Sequence, residues 1–70
     1  MELSQLRYFI AVAKLGNMSK AAETLFVSQP NLSTSISRLE EEGGVPLFER
    51  RGKYIQLNRM GELFYSQVRH

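Results

Sequence analysis

Apolar side chains at Leu3, Leu6, Phe9, Ile10 and Ala13 recur at helical spacing near the start of the chain. They predict a first helix from about Leu3 to Leu15, its stripe turned to a core, with Gly16 and Asn17 as stop signals just past it. Ser19 is a candidate N-cap for a short second helix, Lys20 to about Phe26. Ala21, Ala22 and Leu25 give that helix a narrow apolar side, small enough for a neighbouring helix to approach closely. Ser28 is a second N-cap candidate, and Pro30 falls in the turn after it, where a missing N–H costs nothing. A third helix is expected from Gln29 to about Glu42. Leu32, Ile36 and Leu39 form its buried stripe at i, i+4, i+7, and Gly43 and Gly44 end it. Two short helices joined by a tight turn, the second well capped, describe a helix-turn-helix.

From Val45 the period changes. Residues 47–50 (Leu47, Phe48, Glu49, Arg50) and 54–57 (Tyr54, Ile55, Gln56, Leu57) read as short strands. Arg51, Gly52 and Lys53 read as the hairpin turn between them, with glycine where a positive φ is needed. Asn58 can cap a fourth helix whose apolar positions are Met60, Leu63, Phe64 and Val68, and no stop signal follows it. The expected architecture is mainly α. It is a winged helix-turn-helix with a three-helix core, a two-stranded β-hairpin wing at about 47–57 and the start of a C-terminal helix. The division is 1–58 for the domain and 59–70 for that helix. There is no internal repeat and no low-complexity segment.

A chain of 70 residues makes one small domain with little stability to spare. It leaves no room for a ligand-sensing domain beside it and hardly any for an enzyme cavity. Hydrophobic residues at 43% suffice for a globular core. The absence of cysteine excludes disulfides and thiolate metal sites, and fits a reducing compartment. No apolar run reaches membrane-spanning length, and Met1, Glu2, Leu3 and Ser4 lack the basic start of a signal peptide. A cytoplasmic protein is expected. The formal net charge of +2 says little, but its distribution says more. Arg50, Arg51, Lys53 and Arg59 fall close together, just after Glu40, Glu41, Glu42 and Glu49. One part of the surface can therefore face a polyanion although the total charge is small.

The outward face of helix three carries the first candidate chemistry. Projected at about 100° per residue, Pro30, Ser33, Thr34 and Ser37 lie opposite the apolar stripe, flanked by Gln29 and Arg38. Small hydroxyls, an amide and one guanidinium suit a helix entering the DNA major groove. Arg38 can reach a guanine edge or a phosphate, Gln29 can bond an adenine edge, and the helix N-terminus near Ser28 suits a phosphate. Any one of these side chains could equally be an ordinary solvated residue; the set, in this setting, favours a DNA reader. The basic turn of Arg50, Arg51 and Lys53 is the second constellation, suited to a phosphate backbone or a narrow minor groove. A solubilising charged turn is its plainer reading. The run Glu40, Glu41, Glu42 reads as a solvated helix face, and His70 has no partner nearby in sequence. No P-loop, zinc or nucleophile motif is present. No enzyme, no metal and no cofactor is expected.

From Ser28 to Arg50 the chain reads SQPNLSTSISRLEEEGGVPLFER. This resembles the signature of the LysR-type transcription regulators, as do Leu3, Leu6 and Phe9, the stretch from Ser19 to Leu25, and Gly61 with Glu62. The resemblance covers essentially the whole chain. It implies a winged helix-turn-helix that binds AT-rich inverted repeats of double-stranded DNA as a dimer or tetramer, paired through a long linker helix, so that 59–70 would be the start of a C-terminal linker and dimerisation helix. Family members usually continue into a domain that senses a small-molecule effector, which is missing from this chain. Carried over by position, Ser28, Gln29, Pro30, Ser33, Thr34 and Arg38 match recognition-helix positions, Arg50 and its neighbours match the wing, and Lys20 matches a basic position that often touches phosphate. Thr34 and Ser35 stand where many members carry basic or amide side chains, which implies a base preference of its own and fewer phosphate contacts. Gly43 stands where leucine is common, which implies a weaker end to helix three. Two other readings are a winged-helix protein-interaction module and a short partner that pairs with a full-length regulator and blocks it.

Overall fold

Gly16 and Asn17 join two helices with no loop between them. The computed structural model describes residues 2–52 and 54–69. It places α1 at Leu3–Leu15 and α2 at Met18–Leu25. Gly16 closes α1 in the left-handed region at φ 63°, its N–H donating to the Val12 carbonyl. Asn17 opens α2 at once, its side-chain oxygen accepting from the Lys20 N–H at 2.9 Å. The cap is thus Asn17 and not Ser19, and α2 begins two residues before the expected Lys20. Ser19 lies inside the first turn, where its hydroxyl is not needed for capping. Phe26, expected as the end of α2, instead closes it from outside the helix, at φ 59° and 95% exposed.

α3 spans Gln29–Gly43. Ser28 caps it, accepting from the Asn31 N–H at 3.2 Å, and Pro30 sits in the first turn as expected. Gly44, at φ 75°, ends it. Leu32, Ile36 and Leu39 are its buried stripe.

The face of α1 is turned from the one expected. Phe9, Val12 and Gln5 are buried, whereas Leu3 is 77% exposed. Phe9 fits this rotation by meeting two later rings, tilted against Phe48 with centroids 5.4 Å apart and edge-on to Phe64 at 4.9 Å. Gln5 tolerates burial because its carbonyl accepts from the Glu2 N–H at 2.9 Å, completing a capping box. Phe9, Val12, Leu32 and Ile36 are the largest fully buried side chains, so the core sits between α1 and α3.

Two strands follow, β1 at Phe48–Arg51 and β2 at Tyr54–Leu57. They are antiparallel, pairing Phe48 with Leu57, Glu49 with Gln56, Arg50 with Ile55 and Arg51 with Tyr54. β1 is shifted one residue from the expected strand: Leu47 precedes it, and Arg51 belongs to it rather than to the turn. Gly52 takes the turn at φ 60°. Leu47 stays outside because its N–H is taken elsewhere, donating to the Glu40 carboxylate at 2.7 Å. The Phe48 N–H donates to the same oxygen at 3.3 Å. Glu40 is therefore no solvated residue but a tie between α3 and the wing.

α4 spans Arg59–Val68. Asn58 caps it, accepting from the Gly61 N–H at 2.8 Å. The Asn58 backbone N–H donates to the Leu47 carbonyl at 3.0 Å, and its side-chain amide donates to the Pro46 carbonyl at 2.9 Å. Gly61 is buried, and a Cβ there would overlap the Leu47 carbonyl oxygen. The Ile55 N–H donates to the Gly16 carbonyl at 3.2 Å, tying the wing to the α1–α2 corner.

Candidate nucleic-acid interface

Pleating decides where the wing cations go. Side chains alternate across a strand, so Phe48 and Arg50 share one face of the hairpin while Glu49 and Arg51 share the other. Phe48 packs on the core side, beside Phe9, and Arg50 follows it towards the helices. Arg51 stands on the outer face, 3.9 Å from the Glu49 carboxylate, which also accepts from the Gln56 amide at 3.4 Å. The basic turn expected as one cluster is thus divided. Arg50 joins the helical side, and Arg51 shares its face with an acid. An exposed pair of this kind adds little stability, but it offsets one of the three positive charges the tip was expected to offer. Lys53 lies outside the described residues, as does His70.

Arg50 shares one concavity with the helix-turn-helix. Asn17, Ser19, Gln29, Arg50 and Tyr54 line a recess of about 340 Å³ where the N-termini of α2 and α3 meet the wing. The Ser19 hydroxyl donates to the Gln29 side-chain carbonyl at 2.9 Å, bridging the two helix starts. Sequence reasoning missed Asn17, Ser19 and Tyr54 here. Ser19 carries a signal, a hydroxyl near a helix start, but the same signal suits the cap that Asn17 supplies.

The remaining candidates line the outer surface of α3. Pro30, Thr34, Ser37 and Arg38 are exposed, and Ser33 is half-buried beside Gln29 on the flank. No acid appears on the helix before Glu40. Ser28 is exposed but spends its oxygen on the cap. Lys20 is exposed in the first turn of α2. Among the described residues no three His, Asp or Glu side chains converge as metal ligands would, and no helix is long and apolar enough to cross a membrane.

Three packed helices, the third capped and presented outward, with a β-hairpin beside it, define a winged helix-turn-helix domain. The chain belongs to the LysR family: the family model of the bacterial regulatory helix-turn-helix proteins of lysR type matches residues 3–62. The transcriptional regulator BudR of Klebsiella aerogenes is 52% identical over 68 residues, spanning 97% of this chain and 48% of that protein. Among solved structures, the DNA-binding domain of CbnR in complex with DNA superposes with a TM-score of 0.94 at 46% identity, over 99% of this chain and 79% of that one. The DNA-binding domain of BenM on its benA site 1 DNA gives 0.92 at 43% identity, over 97% and 79% respectively. The chain spans about half the length of the curated relatives it matches, or less.

Proposed function

We propose that this domain binds double-stranded DNA in a sequence-specific manner and acts in transcription regulation, with no catalytic role. α3 enters the major groove and reads bases through Gln29, Pro30, Ser33, Thr34, Ser37 and Arg38, while Ser28 and Lys20 meet the phosphate backbone at the two helix starts. The wing, through Arg50, Arg51 and Lys53, lies on the minor groove or the backbone. One observation carries the reading: Arg50 of the wing and Gln29 of α3 line the same recess, so helix and hairpin address one surface. The DNA complexes of CbnR and BenM support it, being formed by domains of the same fold.

The target is an AT-rich inverted repeat bound by a homodimer, with residues 1–58 as the reading unit and 59–70 as the start of the pairing helix. Met60 and Leu63 support the pairing, being 47% and 56% exposed on α4. Phe64 and Tyr65 on the same helix pack on the core, with Phe9 6.4 Å from the Tyr65 ring centroid, which would hold the pairing face in a fixed direction. A small-molecule effector would enter only through a further C-terminal domain, and the setting is cytoplasmic.

Binding of a selected duplex, titrated with salt, tests the reading. Affinity is expected to fall as salt rises, and Arg50→Ala should reduce the slope of log K against log salt by about 1, the value of one lost phosphate contact. Arg38→Ala together with Arg50→Ala should abolish specific binding. Undiminished, salt-insensitive binding by the double variant would refute a DNA-reading role for this face.

A further inference from the structure

We propose that Ser19 is a positioning residue for base recognition: it orients the Gln29 carboxamide so that its amide donors, and not its carbonyl, face the DNA. The inference rests on the reading of α3 as the major-groove helix. It starts from a displaced cap. Because Asn17 takes the Lys20 N–H, the Ser19 hydroxyl is left over at the second position of α2. It donates to Gln29 Oε1 at 2.9 Å, across ten positions of sequence.

A carboxamide has two distinct ends, a carbonyl with two accepting lone pairs and an NH₂ that donates. Reading adenine with both at once needs the carbonyl to take the N6 proton and the NH₂ to give one to N7. A free glutamine can turn either end to the base. At Gln29 the Ser19 hydroxyl engages one lone pair of the oxygen and draws that end towards α2. The NH₂, bonded to the same carbon, is left pointing away from α2. Gln29 then suits an edge that bears acceptors only: guanine with N7 and O6, or thymine with O4. The two-point adenine contact expected from its residue type would need the same oxygen to turn its second lone pair from α2 to the base, so this geometry disfavours it. Both side chains are exposed, so the hydrogen bond is not forced by core packing, and its removal leaves the fold intact.

Selection from a randomised duplex library tests this with the wild-type chain and with Ser19→Ala, Ser19→Thr and Gln29→Ala, each checked for an unchanged melting temperature. At the base pair whose preference disappears in Gln29→Ala, the wild type is expected to favour guanine or thymine. Ser19→Ala should shift that one position towards adenine by about fivefold or more, the lower end of what a two-point base contact discriminates. Ser19→Thr keeps the hydroxyl and should keep the wild-type profile. A Ser19→Ala profile identical to wild type overturns the proposal, including when binding weakens evenly over all sequences, since that marks a backbone contact. A wild-type preference for adenine at the Gln29 position overturns it as well. If Gln29→Ala changes no position, the failure lies one step earlier, in the assignment of Gln29 to base reading.

Discussion

Two regions of this domain are held together in different ways. Among α1, α2 and α3 the cohesion is spread over apolar contacts, with Phe9, Val12, Leu32 and Ile36 fully buried against one another. Where the wing meets α4, the ties converge on residues 46–48. Glu40 takes the N–H groups of Leu47 and Phe48. Asn58 donates to the carbonyls of Leu47 and Pro46. Gly61 lies against the same Leu47 carbonyl. A distributed core yields by degrees when a methyl group is lost, because its neighbours relax into the gap. A joint built on two adjacent peptides has no such reserve. Together with the Ile55 to Gly16 bond, that joint helps to set the position of the wing relative to α3, and with it the recess where Arg50 meets Gln29.

The largest effect is expected at Gly61. Alanine is the better helix former by about 1 kcal/mol, so on an open surface Gly61→Ala would stabilise α4. Here the added methyl overlaps the Leu47 carbonyl oxygen and sits 2.8 Å from Leu57 Cδ2. The backbone oxygen cannot swing aside as a side chain would. Overpacking at the top of the usual range should win, giving a net loss of about 3 kcal/mol. Chemical denaturation measures it. A loss below about 0.5 kcal/mol, the size of an ordinary surface change, would show that α4 can lift from the wing without consequence.

How much of this could be read from sequence follows the same division. The bounds of α1, the stripe of α3 and the cap at Ser28 were legible because they depend on local spacing and local capping. The face of α1 was not. Leu3 and Val12 are both apolar, and which of them is buried depends on tertiary contacts such as those of Phe48 and Phe64 with Phe9. Glu40 was hidden among three glutamates, although its place four residues after Ile36 puts it at the margin of the buried stripe. In the candidate site, the exposed face of α3 was legible as a set of residue types. The Ser19 to Gln29 bond was not, because it depends on how two helix starts approach each other. The opposite directions of Arg50 and Arg51 follow from strand pleat, but only once the strand is known to run from Phe48 to Arg51.

Glu40 gives the second test. Glu40→Ala removes the acceptor of two N–H groups on half-buried backbone, and should cost about 2 kcal/mol by the usual range for bonds to a charged acceptor. Glu40→Gln keeps an acceptor oxygen but loses the charge, and should cost about half as much. Hydrogen exchange distinguishes a joint from a general weakening. The Leu47 and Phe48 amides should lose more protection than those of Ile36 and Leu39. Equal losses at all four would place Glu40 in the distributed core and erase the contrast between the two regions.

The smallest effect has the opposite sign. Gly43 is helical and exposed, and a Cβ there meets nothing within 4 Å. Unlike Gly44, it has no positive φ to protect. Its lack of a side chain therefore weakens the last turn of α3 with no conformational return, as the departure from leucine implied. Gly43→Ala should stabilise the domain by about 0.7 kcal/mol through helix preference and reduced freedom of the unfolded chain. Leucine should add more. Gly43 borders an open apolar groove of about 550 Å³, lined also by Leu39, Val45, Leu47, Leu63 and Phe64, and a leucine side chain can cover part of it. In a domain of this size, 1 kcal/mol moves the melting temperature by roughly 4–8 °C. The rise should be a few degrees for alanine and larger for leucine. If alanine raises it and leucine does not, the gain belongs to the helix alone, and the groove beside the joint is closed by something other than residue 43.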